Sequence, residues 1–275
     1  MCIAVFLWRS HPLYPLLLLH NRDEYYSRPT EALAWWGSPR GRILGGRDVS
    51  AGGTWLACSR SGRMAFLTNV REVEMIPRAR TRGDLPIQFL QSKKSPLEFA
   101  LEAVEEAHQY NGYNLIVADF PSESMVYMTN RPKGDSNYVS EVSPGIHVLS
   151  NACLDSPWPK EQRLRDGFEE LLDVYGDGEF PVKEMADRLM KNTIKDKDRS
   201  LLPGVYPPQL EYELSSVFVD TDFPLDPAGT RSTSALSVKS DREVSFYERH
   251  LEDEEWKENT VTFSIEEEDR EVIFL

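Results

Sequence analysis

The first 24 residues constrain the fold of this chain more than any other stretch, because they are typical of a buried β-hairpin. Two apolar runs of strand length, residues 3–8 and 16–19, are separated by the turn-type residues Arg9-Ser10-His11-Pro12. Cys2 precedes the first predicted strand, and the polar residues Asn21-Arg22-Asp23-Glu24 leave the second. Because an antiparallel return brings these two ends together, the hairpin predicts that Cys2 lies close to the polar cluster.

Composition indicates a folded globular protein and argues against several partners. The 275 residues are 40% hydrophobic, enough for a large core. Acidic side chains outnumber basic ones by 45 to 31, and the resulting net charge of −14 would repel a phosphate backbone or an anionic bilayer. Nucleic acid is therefore not an expected partner. Three cysteines are too few for a disulfide framework, which favours a reducing, cytoplasmic compartment.

The apolar start also allows a signal peptide or a membrane anchor. Arg9, His11 and Pro12 interrupt the stretch, and no small-x-small cleavage site follows it. Neither apolar run approaches the roughly 20 residues of a spanning helix. The sequence therefore predicts a soluble protein without an integral membrane segment.

Many short strands alternate with helices gathered in two central blocks. Strands are predicted at residues 54–58, 64–69, 113–119, 125–129, 145–150, 216–219, 232–239, 244–247, 261–265 and 271–275. Helices are predicted after the N-cap Ser95, with one apolar face through Leu97, Leu101, Val104 and Ala107, and at residues 159–175 and 181–191. Residues 195–212 are interpreted as a long surface connection. The pattern favours antiparallel sheets under helices, in one α+β domain over residues 1–275.

The glycine-rich passage between residues 37 and 53 does not have the spacing of a phosphate-binding loop. Bends close to a pocket are the preferred interpretation. Trp35 and Trp36 in this region, and Trp55 just after it, suit either the core or the mouth of a pocket.

Cys2 has two interpretations. It is either a small residue behind the initiator methionine or a nucleophile that removal of Met1 would expose. In the second case one residue carries both a thiol and an α-amine, whose pKa of about 7.7–8 suits it to accept the thiol proton. No histidine is then required, and none of the five histidines lies at metal-ligand spacing, so no metal site is predicted.

Polar residues at other predicted strand ends support the second interpretation. Asp23, Asn69, Asn151 and Arg231 each end or open a predicted strand. Each alone is typical of a turn. Together they would supply a carboxylate that orients the α-amine, a guanidinium that favours the thiolate, and amides that donate to an oxyanion.

Several motifs together resemble one protein family. The motifs are Asn21-Arg22-Asp23-Glu24, Ser27-Arg28-Pro29-Thr30, Gly52-Gly53-Thr54-Trp55-Leu56, Thr68-Asn69-Val70-Arg71, Ser150-Asn151, Asp155-Ser156-Pro157-Trp158-Pro159-Lys160 and Gly229-Thr230-Arg231-Ser232-Thr233. In this order they resemble the NRDE family, also called the transport and Golgi organisation 2 proteins. The resemblance extends from residue 2 to about residue 238.

The family is similar to the N-terminal nucleophile hydrolases, whose fold is a four-layer αββα sandwich of two antiparallel sheets. The resemblance implies that Cys2 is the nucleophile and that Asp23 orients its amine. It gives Asn69 and Asn151 the oxyanion and substrate positions, and Arg231 the thiolate-supporting position. One departure is that the hydrolases have an arginine where this chain has His20, whereas here Arg22 directly precedes the aspartate.

The leading functional hypothesis is an amidase or thioesterase that acts on a small acylated substrate. Arg22, Trp55 and Arg71 are assigned to substrate binding, and no cofactor is required. The alternative is a non-catalytic carrier of haem or of an acylated metabolite in the same cleft. A third hypothesis, an interaction protein of secretory-pathway membranes, is weakened by the charge of −14. The family has been linked to Golgi and endoplasmic reticulum organisation, to mitochondrial lipid metabolism and to haem movement, which implies association with the Golgi or mitochondria. The sequence does not predict an oligomeric state.

Overall fold

The computed structural model describes residues 2–37, 41–132, 138–221 and 227–266, which contain fourteen strands and five α-helices. The strands are β1 (Ile3–Trp8), β2 (Leu16–Tyr25), β3 (Thr30–Trp35), β4 (Ile43–Asp48), β5 (Leu56–Ser59), β6 (Arg63–Asn69), β7 (Tyr113–Asp119), β8 (Ser124–Thr129), β9 (Val139–Glu141), β10 (Gly145–Leu149), β11 (Asp220–Thr221), β12 (Ala228–Val238), β13 (Glu243–Glu252) and β14 (Glu255–Ser264). The helices are α1 (Asp84–Gln91), α2 (Pro96–Glu105), α3 (Pro159–Tyr175), α4 (Val182–Met190) and α5 (Pro208–Glu213).

The strands form two antiparallel sheets of seven strands each. The first sheet has the order β10-β1-β2-β12-β13-β14, with β11 paired to β12, and the second runs from β3 to β9 in chain order. Helices α3 and α4 pack on the outer face of the first sheet, and α1 and α2 pack on the outer face of the second. The inner faces pack on each other. The predicted α+β class and the αββα order of layers are therefore confirmed.

The predicted hairpin is present, and its strands are buried on both faces. Ala4, Phe6 and Trp8 of β1 face the second sheet, whereas the alternate residues Ile3 and Val5 face α3 and α4. A strand with helices on one face and a sheet on the other needs apolar side chains at every position. This explains why the sequence shows continuous apolar runs here instead of a polar–apolar alternation.

Helix α2 begins as predicted but buries a different face. Ser95 and Glu98 form a capping box at its start. Leu97 and Leu101, predicted to face the core, are 40% and 56% exposed, so that prediction is wrong. Phe99 is buried instead and meets Phe89 of α1 with ring centroids 5.3 Å apart. The aromatic side chain has the most apolar area to bury, and it therefore decides which face of the helix packs on its neighbours.

Two segments after α4 differ from the sequence predictions. Residues 216–219 are not a strand, because their backbone groups have other partners. The carbonyl of Val217 accepts from the Asn21 side chain, and the amide of Phe218 donates to the backbone carbonyl of Asn192. Residues 195–212 are not merely a surface connection, since Glu211 of this segment is buried in the protein interior. Helix α1 was not predicted. The strand predicted at residues 271–275 lies outside the described residues.

A buried carboxyl group lies between the two sheets. Glu248 of β13 is 2% exposed, and it accepts a hydrogen bond of 2.7 Å from the backbone amide of Leu33 in the second sheet. Burial raises the pKa of Glu248 from 4.5 to about 7, against the opposing effects of this hydrogen bond and of the Arg22 charge. The folded protein therefore favours the neutral acid.

We expect the variant Glu248→Gln to be more stable than the wild type at pH 8 and equally stable at pH 4. Below about pH 4.5 the carboxyl is protonated in the folded and unfolded states, so it has no pH-linked cost. The cost of ionising it in the folded state grows as the pH rises towards 7 and reaches about 1–3 kcal/mol. Urea unfolding at both pH values measures the difference. An equal effect at pH 4 and pH 8 would contradict the assignment.

Candidate active site

The four residues Asn21-Arg22-Asp23-Glu24 lie within β2, not beyond its end as predicted. The reason is that β12 pairs with β2 along its whole length, from Leu16 to Tyr25. Side chains in a strand alternate between its faces. Asn21 accordingly donates to the carbonyls of Met190 and Val217 on the helical side, whereas Arg22 lies over the ring of Trp55 on the side of the second sheet.

A cavity of about 750 Å³ opens at this end of the hairpin. Six of the eight predicted site residues line it: Cys2, Arg22, Asp23, Trp55, Asn69 and Arg71. The volume lies within the roughly 300–1,000 Å³ typical of small-molecule sites. In the described part of the chain, no three His, Cys, Asp or Glu side chains converge as metal ligands.

Cys2 lines the cavity and is almost fully buried. Its backbone carbonyl accepts a hydrogen bond of 3.0 Å from Ser150 Oγ, which fixes the start of β1 beside the end of β10. Burial raises the pKa of the thiol, and the negative charge of Asp23 raises it further. A hydrogen bond from the Asp23 backbone and the charge of Arg22 act in the opposite direction. The thiol is therefore neutral near pH 7 and needs a base to become a nucleophile.

The Asp23 carboxyl group is held from the neighbouring strand. Thr230 Oγ1 of β12 donates to Asp23 Oδ1 at 2.6 Å. Burial raises the pKa of Asp23, whereas the positive charges of Lys160 and Arg71 and the Thr230 hydrogen bond lower it. Thr230 and Lys160 belong to motifs in the sequence but were given no role there, because nothing in one sequence indicates that they meet Asp23.

The two predicted asparagines lie side by side, but only one lines the cavity. Asn69 ends β6 at the cavity wall. Asn151 Nδ2 donates to the backbone carbonyl of Asn69 at 2.7 Å. The backbone carbonyl of Asn151 accepts from the backbone amide of Arg71 at 2.9 Å. Asn151 therefore holds the segment that presents Asn69 and Arg71 to the cavity.

Arg231 lies outside the cavity lining. Its guanidinium donates to the backbone carbonyls of Tyr25, at 3.2 Å, and of Arg28. The register of β12 against β2 shifts between Thr230 and Ser232, and this irregularity turns Arg231 towards the loop after β2. Arg22 lines the cavity instead, and its positive charge lowers the pKa of the Cys2 thiol.

Charged residues of the cavity lining join the two sheets. Arg22, 4.0 Å above the Trp55 ring, is 3.9 Å from both Glu24 and Asp48. Arg28 is 2.6 Å from Asp48 and 3.7 Å from Glu24. Because each arginine meets the same two carboxylates, the network fixes the end of β2 against the end of β4.

The glycine-rich passage contributes to the cavity wall through Gly53, whereas Gly45 and Gly46 lie in β4 and not in the predicted bends. Gly53 lines the cavity, and a Cβ atom there would lie 2.6 Å from the backbone carbonyl carbon of Gly83. Only glycine allows two backbone segments to cross this closely. Trp35 and Trp36 do not line the cavity: Trp35 packs on Phe263, and Trp36 donates to the carbonyl of Gly45.

One wall of the cavity comes from the segment that was interpreted as a surface connection. Tyr206 and Leu210 line it, and Glu211 forms an ion pair with Arg71 in which both side chains are at most 2% exposed. Arg82, before α1, also lines the cavity and was not singled out in the sequence. A charged residue in a charged stretch is typical of a solvated surface, so a single sequence contains no signal for these positions.

The family model described as Transport and Golgi organisation 2 matches residues 1–253. The chain belongs to this family. Relatives named Transport and Golgi organization protein 2 homolog are 33% identical in Bos taurus and 31% identical in Homo sapiens. Each alignment covers 97% of this chain and 100% of the relative. An uncharacterised protein of Saccharomyces cerevisiae is 26% identical over a similar share.

This member of the Transport and Golgi organisation 2 family is similar in fold to a solved bacterial enzyme. The conjugated bile acid hydrolase of Clostridium perfringens superposes with a TM-score of 0.52 at 11% sequence identity, over 96% of this chain and 97% of that chain. That enzyme is an N-terminal nucleophile hydrolase, so the predicted resemblance in fold is confirmed. Among the described residues, no helix has the length and apolar character needed to cross a bilayer.

Proposed function

We propose that this protein is a cysteine N-terminal nucleophile hydrolase that cleaves an amide or thioester bond, with Cys2 as the nucleophile. The proposal is supported chiefly by one observation: the Cys2 thiol lies in a cavity of ligand size together with Asp23, Asn69 and Arg22. Cys2 directly precedes β1, Arg22 and Asp23 belong to β2, and Asn69 belongs to β6 in the other sheet, so the fold brings together a thiol, a guanidinium, a carboxylate and an amide.

The buried thiol needs a base, and the α-amine of Cys2 would serve after removal of Met1. Asp23 and its partner Thr230 would orient this amine. The amine takes the thiol proton, and the sulfur forms a bond to the substrate carbonyl carbon. The carbonyl oxygen becomes an oxyanion, for which the Asn69 side chain is a candidate donor.

Two further steps complete the reaction. The oxyanion collapses, the bond to the leaving amine or thiol breaks, and the α-ammonium of Cys2 returns its proton to that leaving group. Water then attacks the acyl carbon, with the α-amine accepting one of its protons. The second tetrahedral intermediate collapses, the bond from the acyl carbon to the Cys2 sulfur breaks, and the α-ammonium returns the proton to that sulfur. The products are a carboxylic acid and the regenerated Cys2 thiol.

A trapping experiment tests the nucleophile. In a Cys153→Ala background, which removes the exposed cysteine, we expect protein that lacks Met1 to form a covalent acyl adduct on Cys2 when incubated with metabolite extract. Intact-mass and peptide mass spectrometry measure the adduct and report whether Met1 is present. Cys58 provides an internal control, because burial raises its pKa and it does not line the cavity.

Two results would refute the proposed mechanism. Retention of Met1 in protein from its native source would exclude the amine as base, since that nitrogen would be an amide. An adduct on Cys58 in place of Cys2 would refute the assignment of the nucleophile.

The alternative function is a non-catalytic carrier. It is favoured by the raised pKa of the buried Cys2 thiol, because a neutral thiol is a poor nucleophile. We infer that such a carrier would hold an acylated metabolite or haem in the same cavity. Met75, Tyr25 and Tyr206 are the candidate iron ligands, since no histidine occurs among the described lining residues. A haem titration followed by absorbance tests this function, with saturable binding that persists in Cys2→Ala and no turnover of any amide or thioester as the expected result. The cytoplasmic location, and association with the Golgi or mitochondria, stay predictions.

A further inference from the structure

Arg82 is an arginine of the cavity lining without a carboxylate partner. Its Nη1 atom donates to the backbone carbonyl of Gly112 at 2.9 Å. Within the described ranges, no carboxylate oxygen lies within 4 Å of its guanidinium, in contrast to the ion pairs of the other cavity arginines. A guanidinium has five N–H donors, so most of its hydrogen-bonding capacity is left for a ligand.

The other cations and acids around Arg82 are already matched. Arg28 is paired with Asp48, and Arg71 is paired with Glu211. Glu72 lines the cavity and its charge acts on Arg82, but its carboxylate lies 2.7 Å from Arg131 Nη2. Among the described arginines of the cavity lining, Arg82 is therefore the one without a carboxylate oxygen within 4 Å.

Burial lowers the pKa of Arg82, which shows that its charge has lost part of its hydration. An anion bound at this position would restore the lost interaction. The planar fork of a guanidinium matches the two oxygens of a carboxylate or phosphate. Apolar side chains line other parts of the same cavity, among them Leu67, Val70, Met75 and Leu210. The cavity is thus suited to a ligand with an apolar part and one anionic group.

We propose that Arg82 binds a carboxylate or phosphate group of the substrate, and that the substrate class is an anionic acyl amide or acyl thioester. The reaction in this statement rests on the proposed function, whereas the anion site does not.

The anion site is tested by binding, without turnover, in the Cys2→Ala variant. The first probe pair is N-decanoylglycine and its primary amide, which differ only in the carboxylate. We expect calorimetry to show about 10-fold or more preference for the charged probe, the value of one charge-assisted hydrogen-bond pair. The preference should fall below about 3-fold when Arg82→Ala is added, and Arg82→Lys should restore part of it.

Two controls separate this role from a structural one. Arg47→Ala removes the same charge from a residue outside the cavity lining, so the preference should persist. Thermal melting of Arg82→Ala and Arg82→Gln checks that loss of the bond to Gly112 has not unfolded the protein. A second probe pair is N-decanoylethanolamine and its O-phosphate. The pair with the larger preference for its charged member shows whether the site favours a carboxylate or a phosphate.

Equal binding of charged and neutral probes, no binding of any probe, or a preference that survives Arg82→Ala would each overturn the anion site. Failure of the hydrolase proposal has a different signature. The charge preference would remain in Cys2→Ala, whereas protein with an intact Cys2 and no Met1 would form no acyl adduct.

Discussion

Cys2→Ala should reduce acyl hydrolysis by roughly 10⁴-fold or more, because removal of a covalent nucleophile eliminates the acyl-enzyme route. Cys2→Ser should retain little activity, since a hydroxyl is harder to deprotonate than a thiol. The substrate is the one identified by trapping, and the measurement is the rate of release of its amine or thiol. Binding of that substrate to Cys2→Ala should persist, because the rest of the cavity is unchanged.

Two variants show whether this loss is specific. Cys153→Ala, at an exposed position, should keep wild-type kcat/KM. Asp23→Asn should lower kcat by about 10²–10⁴-fold, as loss of the group that orients a base does. Turnover by Cys2→Ala at the wild-type rate would contradict the mechanism. Unchanged turnover by Asp23→Asn would refute only the role of Asp23 in orienting the amine.

Glu211→Gln should destabilise the protein by about 3–5 kcal/mol, because it leaves the Arg71 guanidinium buried without its counter-charge. Glutamine has the shape of glutamate and can still accept from the backbone amides of Val205 and Tyr206, as Glu211 does at 3.1 and 2.9 Å. The loss of stability would therefore result from removal of the charge and not from a change in packing. Urea unfolding followed by circular dichroism measures it.

An exposed ion pair provides the matched control. Glu102→Gln breaks the pair with Lys94, in which both side chains are at least 45% exposed, and should cost less than about 1 kcal/mol. The double variant Arg71→Met/Glu211→Leu should recover much of the stability lost in Glu211→Gln, since it removes both buried charges. Equal small effects at Glu211 and Glu102 would show that the Arg71 pair is accessible to water.

Local signals account for the elements that were predicted correctly. The capping box at Ser95 determines where α2 begins. The helical spacing of apolar residues before Gly176 determines where α3 ends. The apolar runs of the first hairpin likewise specify β1 and the start of β2. Each signal lies within about 20 residues, which is the range over which a sequence pattern directly describes local structure.

Placement of the candidate site residues depended on contacts that no local pattern describes. Asn151 and Arg231 belong to matching motifs, but a hydrogen bond to the Asn69 backbone and an irregularity in β12 decide where their side chains lie. Arg82 and Glu211 carried no signal, because pairing or isolation of a charge depends on chain segments far away in sequence.

The residue pattern by itself therefore determined antiparallel sheets under helices and the proximity of Cys2 to Asp23 through one hairpin, and the motifs implied the family and its two-sheet fold. Only the tertiary structure decided which charges are buried, which are matched, and which of them face the cavity. The physical reason is that the spacing of apolar residues and the turn residues between them determine which neighbouring strands pair. The cost of a buried charge depends instead on whichever partner the folded chain brings within a few ångströms.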